Sequence, residues 1–507
     1  MKKIFGTNIL LLLILFFISI DSLANIKLPA IFSDGMVMQQ QTSVTVWGWA
    51  SPGEKISFQS SWLDWPQTTI TDSDGKFKVM LRTPKASMNS HTLTVAGNNS
   101  ITLNDILIGE VWVASGQSNM GFTLKSDVSA KTEIPQANFP NIRYFYVERQ
   151  YGLQKFSDAP GSIWKKTTPE TAPNFSAVAY YFAKKIQQEK NVPVGIVYAA
   201  WGGTPAEAWT PEEVLTSDTV LTKYIDRWKF IQENAGKDSV AYQKELKNWE
   251  INKNGKKPDE PQTFYYFKRP WREPSVLFNG MIDPVIPYSV KGVLWYQGES
   301  NVGYAKEYYQ LFTKMITAWR DRWNQPKLPF YFVQLSAFGY ADMNAAAVVR
   351  EAQYLTSKNI PNTAMAVTTD LGNMGDIHYT MKAPVGYRLA LIALNKNYGE
   401  KANFKGPELQ KIKLKNNQVV LKFKTSNALQ TDAKPLDGFE IGYQLLGTDN
   451  LMYRNAKAKI SGKMVLLQAE NIGKPVSVRY AWMLVGEANL ADKDGLPAFP
   501  FTKNIKE

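Results

Sequence analysis

The sequence predicts an α/β protein: a parallel sheet flanked at both ends by β-rich regions. Three observations support this. From about residue 104 to 400, short apolar runs alternate with amphipathic helical segments, the pattern of a parallel sheet covered by helices on both faces. Residues 25–103 and 401–507 instead show period-two alternation punctuated by turn residues, as in small β-sandwich or jelly-roll-like regions. The length, 507 residues, exceeds what one core serves, so two or three domains are expected.

The chain opens with Lys2 and Lys3, an apolar stretch from Ile9 to Ile20, and Ser22-Leu23-Ala24. This is the pattern of a secretory signal peptide over 1–24, cut after Ala24. Its apolar core is too short to span a bilayer, and no later segment reaches the length that spanning needs. An exported protein, periplasmic in a Gram-negative bacterium or secreted, is expected without membrane insertion. There is no cysteine, which excludes disulfides and thiolate metal sites. In residues 25–103, Val44 and Val46 alternate, Ser51-Pro52-Gly53 turns, and Asp74-Gly75 precedes Phe77, Val79 and Leu81. His91 shares the apolar face of the strand that carries Leu93 and Val95.

For the domain 104–400 the strand candidates are 106–114, 194–198, 292–296, 330–335 and 363–369. The helix candidates are 176–188, 307–323, 345–357 and 380–396. The polar, Lys- and Glu-rich stretch 211–260 reads as the body of a helical insertion, about 211–275, that borders a cleft. In 401–507, Lys411, Lys413 and Lys415 alternate with Ile412 and Leu414 before an Asn416-Asn417 turn into Val419, Leu421 and Phe423. The formal charge of +13 is therefore read as solvated strand faces. A nucleic-acid surface would need a recognisable module or a basic cluster with interleaved aromatics, and neither is found.

The chemistry-bearing residues are few. Only two histidines occur, and His378 stands two positions after Asp376. A hydrolase with a serine nucleophile needs an imidazole to shuttle the proton and a carboxylate to orient it. The apolar run Val111 to Ala114 ends in Ser115-Gly116-Gln117-Ser118, which makes Ser118 either the nucleophile or a turn or cap residue. The pattern lacks the second glycine of the Gly-x-Ser-x-Gly elbow. Asp370 is a rival to Asp376 as the acid, although its place at a strand end suits a bracing role. Ligands in an open parallel sheet sit outside the carboxyl ends of its strands. Four segments follow strand ends: 115–120, Trp201 to Pro205, Gln297 to Asn301, and Asp370 to His378. Gly202, Gly203 and Gly298 allow backbone N–H groups to approach an oxyanion, and Gln297 or Asn301 offers a side-chain amide. Glu299 is either a second acid near His378 or a structural acceptor. Trp112, Trp201, Trp209 and Trp295 suit core packing better than sugar stacking.

Gly109 to Met120, Trp201-Gly-Gly-Thr204 with Glu207-Ala-Trp209, Trp295 to Asn301, and Asp376-Ile-His378 followed by Lys382, Gly386 and Arg388 resemble the sialate O-acetylesterase family of SGNH hydrolases. Leu28 to Met38, Trp47-Gly-Trp49, Val478 to Trp482 and Gly495-Leu-Pro497 are similar to its flanking β regions, so nearly the whole mature chain is covered. The resemblance implies a flavodoxin-like esterase domain that removes acetyl groups from sugar hydroxyls without metal or cofactor. It implies Ser118 as nucleophile, His378 as base then acid, and Asp376 as its carboxylate. The backbone of Ser118 and Gly203, with Gln297 or its rival Asn301, would form the oxyanion hole; Trp201, Glu299 and Arg388 would meet substrate. Two positions depart from the family's habit: Gly121, where an acidic residue is frequent, and Tyr379, where proline is. The substrate is expected to be an acetylated sialic acid, with acetylated xylan or xyloglucan as the alternative. A sugar-binding protein with a dead esterase domain is the alternative of another class.

Overall fold

A computed structural model describes residues 25–415, 418–431, 443–448, 452–482 and 488–505. The expected signal peptide, 1–24, and the turn expected at Asn416-Asn417 lie outside them. The central sheet consists of β1 (Ser100–Gly116), β2 (Phe139–Tyr146), β3 (Trp164–Thr167), β4 (Val194–Ala200), β5 (Gly292–Tyr296), β6 (Phe330–Val333) and β7 (Thr363–Ala366). Their spatial order is β7-β6-β5-β1-β4-β2-β3, with every neighbour parallel except the β2–β3 pair. Taken alone, β1, β4, β5, β6 and β7 run 2-1-3-4-5, the flavodoxin-like order. The unforeseen β2 and β3 extend one edge.

Six helices matter for the site: α1 (Ala177–Lys190), α2 (Thr222–Asn252), α3 (Gln262–Phe267), α4 (Ala305–Arg322), α5 (Met343–Asn359) and α6 (Ala383–Tyr398). Successive strand residues point to opposite faces, and the cores divide accordingly. Val111, Val113, Val293, Trp295, Phe330 and Phe332 pack with Leu311, Phe312 and Met315 of α4. Trp112, Ala114, Leu294, Tyr296, Tyr331 and Val333 pack with Tyr181 and Phe182 of α1 and Leu389 and Ile392 of α6. Side-chain caps start two of the helices: Ser176 Oγ accepts from Ala179 N at 3.2 Å, and Asp342 Oδ1 from Ala345 N at 2.9 Å.

In the N-terminal region, Ser43–Trp49 pairs antiparallel with Lys76–Arg82, setting Val46 opposite Val79 and Val44 opposite Leu81. His91–Ala96 pairs with the beginning of β1, and Val37–Gln39 runs parallel to its middle. The same 17-residue strand therefore belongs to the β region and to the sheet, and the boundary expected at 103/104 falls inside it. Val44, Val46, Ile56, Phe58 and Leu81 share one core with a face of the sheet. His91 is half-buried, its Nδ1 3.1 Å from Ser61 Oγ and its ring edge-on to Trp62. The C-terminal region has its own core around Val419, Leu421, Val465 and Tyr480, and the lysine-bearing hairpin is Glu408–Lys415 against Gln418–Lys424.

Candidate active site

Sheet register assembles the site. Gly116, the last residue of β1, pairs with Ala200 on one side and Tyr296 on the other. The segments starting at Gln117, Trp201 and Gln297 thus leave the sheet at one level, where chain order reverses around β1. Gly116 has φ +136°, and a Cβ there would stand 2.2 Å from Tyr296 O, so only glycine fits. Gln117 N donates to Tyr296 O (3.0 Å) and Trp201 N to Gly116 O (3.1 Å), locking the three exits together. Ser118 begins the following turn, half-buried. A Cβ on Gly202 would lie 3.2 Å from Ser118 Cβ, so the Trp201–Gly203 loop rests directly against this serine.

The fourth segment is tied on by Asn119. Its Nδ2 donates to Ile377 O (3.1 Å) and to Glu299 Oε1 (2.5 Å), and its Oδ1 accepts from Lys382 Nζ (2.6 Å). The side chain next to Ser118 therefore holds the residue next to His378. Asn119 and Lys382 were in the sequence motifs without a role; nothing local in the sequence shows that one buried amide links three segments. Asp376 Oδ1 accepts from His378 N at 2.8 Å and lies 3.8 Å from His378 Nδ1, beyond hydrogen-bond length. Both side chains are open to solvent, 42% exposed for His378 and 55% for Asp376. Among the described residues, the Ser118 hydroxyl and the His378 ring carry no hydrogen bond, which leaves both available to a ligand.

Several expected roles are placed differently. Gln297 is buried; its Nε2 donates to Asn301 Oδ1 (2.6 Å) and Thr204 O (3.3 Å), and its Oε1 accepts from Tyr308 OH (3.0 Å). Asn301 is buried as well, donating to Glu207 Oε2 (2.8 Å) and accepting from Ala206 N (2.9 Å). Both amides are oriented by these partners: Gln297 Nε2 has both of its N–H groups engaged, Asn301 Nδ2 one of two, and together they knit the loop after β4 to the loop after β5. Arg388, expected at the substrate, instead clamps Asp370 with two bonds (2.8 and 2.6 Å) and donates to Val367 O (2.7 Å). The rival acid Asp370 is thereby a brace. Trp112, Trp209 and Trp295 are buried in the core, whereas Trp201 is half-buried beside the site. It stacks on Trp271 (5.5 Å, 11°), with Tyr151 edge-on at 6.1 Å and the Arg149 guanidinium 5.4 Å from its ring.

Two ionisable groups, buried Lys382 and half-buried Glu299, meet at the Asn119 amide next to Ser118. Burial pushes the Lys382 amine down to about 8, opposed by Glu299, Asp127 and Asp376. Burial likewise raises the Glu299 carboxyl, against its own backbone N–H, the Asn119 amide, Lys382 and His378. Glu299 Oε2 is shut off from solvent and has no hydrogen-bond partner.

The family model for carbohydrate esterases described as sialic acid-specific acetylesterase matches residues 108–246 and 267–395. The chain belongs to this family. It is accordingly a carboxylic-ester hydrolase. The rat sialate O-acetylesterase is 28% identical, with 98% of each chain covered. The human one is 26% identical over 90% of this chain and 87% of its own. The crystal structure of a carbohydrate acetylesterase from Xanthomonas citri superimposes with a TM-score of 0.80 at 32% identity, covering 94% of this chain and 99% of the other. A Cβ on Gly121 would stand 3.0 Å from Tyr198 OH, so a side chain at this position would require that tyrosine to shift by a few tenths of an ångström. Tyr379 packs half-buried against the α1/α6 core. The family model breaks off over 247–266, the far end of the helical insertion, and resumes before Trp271 and Arg272.

Proposed function

We propose that this esterase removes acetyl groups from sugar hydroxyls by a serine mechanism in an SGNH-type domain, as an exported enzyme. The observation carrying this reading is the meeting of Ser118, the Gly202-Gly203 loop and the Asp376–His378 segment at the switch point of the sheet. Ser118 Oγ attacks the acetyl carbonyl carbon while His378 takes its proton. The carbonyl oxygen becomes an oxyanion facing the backbone N–H groups of Ser118 and Gly203. Collapse breaks the bond to the sugar oxygen, which leaves as an alcohol with the proton from His378. Water, deprotonated by His378, then attacks the acetyl-serine, releases acetate and restores Ser118.

Asp376 is the carboxylate that orients His378 in this reading. A second reading gives Glu299 a share, because the Asn119 amide that holds Ile377 O, next to His378, also holds the Glu299 carboxylate, whose Oε2 is buried without a partner. Comparing Asp376→Asn with Glu299→Gln decides between them. The substrate is an O-acetylated sialic acid, as the names of the mammalian relatives suggest, with acetylated xyloglucan or xylan as the alternative. Acetate release from both, measured side by side with wild type and Ser118→Ala, is the test. Full activity in Ser118→Ala would overturn the mechanism.

A further inference from the structure

Gly203 lies in the left-handed region (φ +72°) immediately after the glycine that touches Ser118. Among the described residues its N–H makes no backbone hydrogen bond, consistent with an oxyanion donor. An unpaired N–H on a glycine loop is useful only if the peptide cannot swing. On the near side, Thr204 Oγ1 donates to Trp201 O at 2.7 Å and closes the turn. On the far side, the carbonyl of Gly203 accepts from Nη1 of Arg272, a buried residue that arrives from outside the sheet at the end of the helical insertion.

The delivery of this guanidinium is built into the fold. Tyr266 of α3 lies under it, 4.9 Å from ring centroid to guanidinium carbon. Trp271, one residue earlier, lies flat on Trp201, so two consecutive residues grip both ends of the Trp201–Gly203 loop. The segment is anchored behind by Ser275 N on Glu207 O (2.9 Å), and Glu207 is itself held by Arg227 of α2 (2.5 Å) and by Asn301 (2.8 Å). A planar guanidinium with fixed donors suits such a clamp better than a flexible ammonium.

We propose that Arg272 is a positioning residue for ester hydrolysis: it fixes the Gly203 peptide so that its N–H meets the oxyanion. The inference rests on the serine mechanism above. It makes the helical insertion part of the catalytic apparatus. Because the oxyanion exists only in the transition state, loosening this peptide lowers kcat and leaves KM alone.

The test uses the full-length mature enzyme and a soluble fluorogenic acetyl ester, with circular dichroism as the check on folding. Arg272→Met, which keeps the apolar stem, should lower kcat by about 10²-fold with KM within about two-fold of wild type. Tyr266→Ala, at a half-buried position, removes the ring beneath the guanidinium and should lower kcat in the same sense by roughly three- to ten-fold. The second variant decides the matter if the first does not fold. Wild-type kcat in the folded variants, or a raised KM at unchanged kcat, overturns the proposal. Ser118→Ala run in parallel separates the two failures: an inactive Ser118→Ala with intact Arg272 and Tyr266 variants removes only this inference, and an active one removes the serine mechanism beneath it.

Discussion

Adding one methyl group to Gly202 probes the contact on which the site depends. The new Cβ would stand 3.2 Å from Ser118 Cβ, 3.7 Å from its Cα and 3.9 Å from its N. Carbon pairs rest at about 3.5–4.0 Å, so the loop and the serine must part by roughly 0.3 Å or more. Gly202, unlike Gly203, is not among the positive-φ glycines, so alanine brings no backbone strain of that kind. A misplacement of about 1 Å at a reacting group costs about 10² in rate; scaled to a few tenths of an ångström, kcat/KM should fall roughly three- to ten-fold. Overpacking at this half-buried position should cost about 1 kcal/mol and move Tm by about 2 °C. The assay is hydrolysis of a fluorogenic acetyl ester beside a thermal melt. Wild-type kcat/KM in folded Gly202→Ala would refute the placement of this loop against a catalytic Ser118.

Ser118→Ala and His378→Ala should each lower kcat by about 10⁴–10⁶, with little further loss in the double variant, because such residues act as a unit; additive losses in steady-state assays would contradict this. Lys382 has its folded value depressed to about 8, below the ~10.4 of a free lysine, so between these the unfolded chain binds more protons and this group's contribution to stability rises with pH. Urea unfolding at several pH values from 7 to 10 should show wild type gaining on Lys382→Met across that window, and a constant difference would be wrong for this lysine. Arg388→Met leaves Asp370 unpaired and should cost about 2 kcal/mol while KM stays unchanged; a raised KM at constant Tm would return Arg388 to the substrate.

What the sequence made legible follows from burial. β4, β5 and β6 are apolar on both faces, so they read as continuous runs, and glycine-rich loops after strand ends could be assigned to one rim. β2 was hidden because Pro140 and Asn141 look like a turn and Arg143 looks like surface. Arg143 is in fact buried, donating to Gly35 O and to Asp105 Oδ1, both at 2.8 Å. Asp105 itself, a polar residue at φ +53°, made a break in composition where the strand continues. In the site, Ser118 and His378 could be singled out because serine hydrolysis needs those groups and histidine is scarce. The partners of Gln297 and Asn301 could not: these amides bond Thr204, Tyr308 and Glu207, which no local pattern brings together.

The strand shared by the β region and the sheet is one rod, bent at Asp105 (φ +53°), that ends two residues before Ser118 and whose near end is clamped by His91–Ala96. Its neighbours in the sheet are made much later, β4 from Val194 and β5 from Gly292. An emerging chain thus has a finished partner for the first third of the rod long before the catalytic end has any. The N-terminal region is then a template that holds the central strand until its flanks arrive, and a truncated enzyme starting at residue 104 would lose the jig on which its own sheet is assembled.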